Sequence, residues 1–214
     1  MNQERQQEQQ EQDETRLEPE SALPAYPGLK RQQIYMVEDA ASLQYARTQL
    51  QCASILGFDT ETKPVFQKGQ KSEGPHLVQL ATETQAFLFP LTTALQAESI
   101  DVIRQLLEQP AIQKVGFGLV DDLRHLKSKF GIVTANVLDL ARVMRESKQR
   151  DMGVKAAVAK YFGMQMSKSK KTSTSNWAQH PLSEKQIFYA ANDAHVALLV
   201  YLHWRELKSK ALAA

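Results

Sequence analysis

Apolar positions along the chain recur with two different periods, and the switches between them divide it into elements. Alternating or unbroken apolar runs predict strands at 33–36, 54–60, 76–82, 85–89 and 112–116, with another strand end at Leu138-Asp139-Leu140. Apolar positions spaced three and four apart predict helices over 38–51, 98–108, 119–129, 139–147, 153–162 and 183–206. The first carries the stripe Ala41, Leu43, Ala46 and Leu50, and the last carries Ile187, Ala190, Ala191, Ala194, Leu198 and Leu202. Punctuation agrees with these bounds. Pro110 stops one helix, Gly131 ends another, and Ser183 with Gln186 three residues on forms a capping box behind Pro181. Residues 165–176 read as a polar, basic loop. The order predicts an α/β fold: a mixed sheet, antiparallel at its start and parallel later, with helices on both faces. No internal repeat is visible.

Residues 1–22 break the pattern. They are Gln- and Glu-rich and hold almost no large apolar side chains, so they cannot offset the entropy of ordering and are expected to be a disordered tail. Residues 23–214 are enough for a single domain with a real core. The tail carries seven acidic residues and two arginines, which leaves a net charge of +7 on the rest. A moderately basic body is compatible with a phosphate-bearing polymer as partner. No apolar stretch is long enough to span a membrane, and the polar first residues do not read as a secretory leader. The single cysteine, Cys52, excludes an internal disulfide framework and a cysteine zinc cluster, and is expected to be a buried, inert thiol. A cytoplasmic location follows as the expectation.

Acidic residues at particular positions change the picture. In Ile55-Leu56-Gly57-Phe58-Asp59-Thr60-Glu61 the period of two puts Asp59 and Glu61 on one face, with Leu56, Phe58 and Thr60 on the other. Two adjacent carboxylates repel, and a cation between them relieves that; a strand end running into solvent is the plainer alternative. On the last helix, Tyr189 and Asp193 are one turn apart on a face that Val196, Ala197 and Val200 continue. A lone acid on such a face is costly, so it serves either a site or a tyrosine–aspartate hydrogen bond between elements. Val115-Gly116-Phe117-Gly118-Leu119-Val120-Asp121-Asp122 makes a tight strand-to-helix passage with two acids in its first turns, where capping is the alternative role. Asp139 reads first as a helix N-cap.

FDTET, then GFGLVDD, then Tyr189-Ala-Ala-Asn-Asp193 within SNW…PL…Q…YAANDA resembles the DEDD superfamily of 3′–5′ exonucleases, in the group of ribonuclease D and the Werner syndrome helicase exonuclease domain. The resemblance covers about residues 33–206. It implies a ribonuclease H-like fold with a five-stranded mixed sheet flanked by helices. It also implies a hydrolase that releases nucleoside 5′-monophosphates from the free 3′ end of a nucleic acid. By motif, Asp59, Glu61, Asp122 and Asp193 are the implied catalytic metal ligands, with Asp122 rather than Asp121 set by alignment on the Gly-x-Gly. Tyr189, four before the last aspartate, is the implied catalytic tyrosine and places the chain in the tyrosine branch. Four oxygen-donor carboxylates imply two Mg²⁺ or Mn²⁺ ions roughly 3.5–4 Å apart.

Lys168, Lys170 and Lys171, in a run of serines and threonines before Trp177, are candidate nucleic-acid contacts, as are Lys63 and Lys68 with Gln67 and Lys71. A solvated loop is the alternative. Trp177 reads as a core anchor, and His76 and His125 as structural. With eight residues after Glu206, the chain is expected to lack the helical RNA-binding domain of ribonuclease D, which favours DNA over RNA 3′-end trimming. A non-catalytic binding module on the same fold is the third reading.

Overall fold

The computed structural model describes residues 23–65, 69, 72–145, 151–167 and 169–213. The expected tail 1–22, Gln67, Lys68, Lys71 and Lys168 lie outside the described residues.

The strands are β1 (Ile34–Met36), β2 (Ile55–Glu61), β3 (Leu77–Ala81), β4 (Ala86–Pro90), β5 (Gln113–Gly116) and β6 (Val137–Asp139). They form one sheet in the order β1-β4-β3-β2-β5-β6. β2, β3 and β4 pair antiparallel, while β1 on β4, β5 on β2 and β6 on β5 are parallel. The sheet thus has six strands, not the five implied by the resemblance, and each of its two edges is a three-residue strand.

The helices are α1 (Ala40–Gln51), α2 (Gln96–Leu107), α3 (Val120–Phe130), α4 (Leu140–Val143), α5 (Val154–Phe162), α6 (Lys170–Ser173) and α7 (Glu184–Ala213). Their ends carry their own signals. Asp39 caps α1 by accepting from the Ser42 N–H at 2.7 Å. The expected capping box opens α7: the Ser183 N–H donates to Gln186 Oε1 at 3.0 Å, and the Gln186 N–H to Ser183 Oγ at 3.4 Å. Gly131 ends α3 in the left-handed region, φ 65°.

Three spans differ from the sequence expectation. The helix expected over 139–147 ends at Val143, and its last two expected positions, 146 and 147, lie outside the described residues. The expected loop 165–176 contains the short helix α6, capped by Ser169. The last helix runs on to Ala213. Cys52 is exposed, not buried: it is the C-cap residue of α1, two positions past Leu50 and off the buried stripe.

Alternation along β2 assigns its two faces. Leu56 and Phe58 are buried against α1, α2 and α3 through Ala46, Leu50, Ile103, Leu106 and Leu126. On the other face α7 lies directly on the sheet. Ala190, Ala191 and Ala194 pack on Leu77, Ala81 and Leu88, and Val196, Ala197 and Val200 share a core with Val115 and with α5. Small residues let the helix come close. At Gly57 a Cβ would lie 2.0 Å from the Ala194 carbonyl oxygen, so only glycine admits α7 at this depth. This contact sets the distance from β2 to α7.

Candidate active site

The site grows out of that packing. Asp59 and Glu61 lie on the same face of β2 as Gly57 and therefore point toward α7, at the C-terminal end of the strand. Asp193 precedes Ala194, the residue whose carbonyl meets Gly57, and so comes down onto the same place. A carboxylate oxygen from each of Asp59, Glu61 and Asp193 lies within 4.8 Å of the others. Asp59 and Glu61 are half-buried and Asp193 is buried. Hard oxygen donors at this spacing fit a divalent cation of the Mg²⁺ or Mn²⁺ type, which also offsets the crowding of negative charge.

Asp122 is not in that group. It projects from the first turn of α3 and accepts a hydrogen bond from the Thr60 hydroxyl, on the opposite face of β2. Burial pushes its carboxyl above the usual range, and the Thr60 bond pulls the other way. Its neighbour Asp121 turns to solvent and pairs with Arg124 at 3.0 Å. Of the two, Asp122 is the one turned toward the sheet. Asp139 caps α4 through the Ala141 N–H at 3.1 Å, as expected, and does more: it also accepts from the Gly118 and Leu119 N–H groups at 2.8 and 3.1 Å. It therefore ties the glycine passage before α3 to the end of β6.

Tyr189 stands one helical turn before Asp193, its ring 5.9 Å from that of Trp177. Trp177 is buried, and its indole N–H donates to the Ser173 carbonyl at 3.1 Å, so it anchors α6 to α7 and braces the tyrosine. A cavity of about 320 Å³ opens over Tyr189 and Asp193 and is lined also by Ser167, Thr172, Lys185 and Asn192. The basic loop thereby reaches the site. Lys171 lines an adjoining cavity of about 370 Å³ that shares Thr172 and Lys185 with the first. Lys170 is exposed on the same short helix, and Lys63 is exposed just past the end of β2. Lys185 was not among the sequence candidates. A lysine in the first turn of a long helix opposes the helix dipole, and that was the available signal.

His76 is structural, as expected. Its Nδ1 accepts from the Lys63 N–H at 3.2 Å, and its backbone N–H donates to the Glu61 carbonyl at 2.9 Å, which steadies the end of β2.

Residues 34–207 match the family model for the 3′–5′ exonuclease. The chain belongs to the 3′–5′ exonuclease family. It is 28 % identical over 149 residues to the mouse bifunctional 3′–5′ exonuclease/ATP-dependent helicase WRN, covering 69 % of this chain and 10 % of that protein. It is 30 % identical over 184 residues to the human exonuclease mut-7 homolog, covering 71 % of this chain and 20 % of that protein. The chain thus spans a fifth or less of these two relatives. Among solved structures it resembles the Nibbler EXO domain of Aedes aegypti, with a TM-score of 0.70 at 22 % identity over 82 % of this chain and 88 % of that one. Trypanosoma brucei RNase D is similar, with a TM-score of 0.71 at 22 % identity over 79 % of this chain and 64 % of that one. These likenesses show the exonuclease domain's fold to be ribonuclease H-like, as the motifs implied.

Proposed function

We propose that this exonuclease-family domain removes nucleotides one at a time from the 3′ end of a nucleic acid, DNA favoured, using two divalent ions. The observation that carries the proposal is the convergence of Asp59, Glu61 and Asp193, the last of which lines a cavity that also presents Tyr189. Asp59, Glu61 and Asp193 would hold one ion, and Asp122 would serve the second. When bound, such ions neutralise the phosphodiester and its developing charge and supply an activated water. Tyr189 would orient the attacking water by hydrogen bond, since a phenol with a pKa of about 10 is a poor base at neutral pH. Lys185 and Thr172 border the cavity, and Lys171 the adjoining one, on the side where the preceding phosphates would lie, and Lys63, Lys170 and Lys168 are proposed to add backbone contacts without reading sequence. Lys68 is proposed for the same role beyond β2.

RNA 3′-end trimming is the second reading, because chemistry at a phosphodiester is indifferent to a 2′-hydroxyl. A solved relative of the fold, Trypanosoma brucei RNase D, was determined in complex with RNA U12.

The test is a time course on 5′-labelled DNA and RNA oligonucleotides with Mg²⁺, Mn²⁺ or EDTA. The expected result is a single-nucleotide ladder shortening from the 3′ end, abolished by EDTA and faster on DNA. Faster shortening of RNA would make trimming the leading reading. Tight binding without cleavage of either polymer would replace the enzyme with a binding module.

A further inference from the structure

Thr60 sits between the two acids of the D-x-E strand but faces away from them. It is buried, with 9 % of its surface exposed, and donates its hydroxyl hydrogen bond to Asp122 Oδ1 across 62 positions of sequence. The backbone carrying Asp122 is fixed independently. Leu119 and Leu126 bury α3 in the core, and Asp139 holds the Gly118 and Leu119 N–H groups. The side chain is not fixed by any of these, because a first-turn aspartate retains rotamer freedom about its own Cα–Cβ bond. The Thr60 bond removes that freedom. A hydroxyl that engages Oδ1 leaves Oδ2 as the oxygen that can turn toward the end of β2.

We propose that Thr60 is a positioning residue for the second ion: its hydroxyl orients Asp122 so that Oδ2 is presented at the β2 end of the site. The D-x-E motif then does two jobs with one strand. Its outer residues ligate from one face, and its central residue sets the rotamer of a ligand that approaches from the other. Outer partners of this kind tune metal affinity through the ligand they hold. The inference rests on the two-ion reading above and adds a residue to it.

The test is a Mn²⁺ titration by calorimetry with thymidine 5′-monophosphate present, on the wild-type protein, Thr60→Val and Thr60→Ser. Valine keeps the shape of the side chain and its place in the strand while removing the donor, and serine restores the donor. The expected result is two ions in the wild type, a second ion about tenfold weaker or more in Thr60→Val with the first unchanged, and recovery in Thr60→Ser. A second measurement needs no metal: in crystals grown with EDTA, Asp122 should keep its contact to residue 60 in wild type and Thr60→Ser and adopt another rotamer in Thr60→Val. Two ions bound equally well by wild type and Thr60→Val, or an unmoved Asp122 in Thr60→Val, would each overturn the inference. A wild-type protein that binds one ion or none would instead sink the two-ion reading itself, a result distinguishable from both.

Discussion

Three buried basic side chains contribute to how folding responds to pH. Burial holds His76 below its ordinary pKa of 6.5, with the charges of Lys129 and Lys63 adding to the effect, and burial does the same to His195. His195 Nε2 lies 2.9 Å from the Glu83 carbonyl oxygen, so that nitrogen carries the proton of a neutral ring. Below pH 6.5 the unfolded chain takes up protons that the folded one refuses, so stability falls as pH drops through and below that value. Lys114 is fully buried, donates to the Gln109 and Ile112 carbonyls at 2.9 and 2.8 Å, and is pushed down to about 8 by burial. Between about 8 and its ordinary 10.5 the unfolded chain is again the more protonated, so stability rises with pH across that window. Urea unfolding from pH 5 to pH 10 should show both limbs, the lower reduced in His195→Gln and the upper in Lys114→Met. A flat profile would contradict the assignment.

The acids that the sequence marked are those whose position follows from local periodicity: Asp59 and Glu61 from a period of two, Tyr189 and Asp193 from one helical turn. Thr60 and Lys185 escaped because their roles depend on segments far along the chain, α3 for one and the loop around α6 for the other. Cys52 was misjudged for a local reason, since a helix stripe ends where the helix does.

Between elements, the distance that matters is β2 to α7. Gly57 sets it, because an added methyl would meet the Ala194 carbonyl and the Leu198 Cβ rather than a yielding side chain. Gly57→Ala should cost about 1–3 kcal/mol of stability by urea denaturation and displace Asp193 from Asp59 and Glu61, with nuclease activity lost more steeply than stability. Wild-type activity in a destabilised Gly57→Ala would show that the spacing is not critical. Strand and helix order were legible because each element carries its own period and caps, such as the Ser183–Gln186 box. The four-residue helices were not: α6 and the early end of α4 depend on local capping and on packing around Met144, which no periodicity announces. Both short edge strands were visible in the apolar pattern, and the strand count implied by the family was the poorer guide.

Across the molecule, the sheet divides labour between its faces. One carries a continuous apolar core under α1, α2 and α3, while the other carries α7 and, at the C-terminal end of β2, the acidic group. Strands β2, β5 and β6 run parallel, so Asp59 and Glu61 at the end of β2, Asp139 at the end of β6 and Asp122 beyond β5 lie toward the same, C-terminal end of these strands, where open α/β sheets commonly bind ligands. Among the described residues no helix is long and apolar enough to cross a membrane. Lys185 in the first turn of α7 lines the cavity beside Glu184, and Lys171 of α6 lines the adjoining one, so positive charge lies near the acids where a negatively charged substrate would meet it.

The central claim is that Asp59, Glu61 and Asp193 together make a divalent-cation centre. Calorimetric titration of Mn²⁺ into the wild-type protein and into Asp193→Asn, which keeps the side chain's shape and removes its charge, tests it most directly. Saturable binding is expected in the wild type, and at least a tenfold loss of affinity in Asp193→Asn with the fold intact by circular dichroism. Equal Mn²⁺ affinity in the two proteins would contradict it.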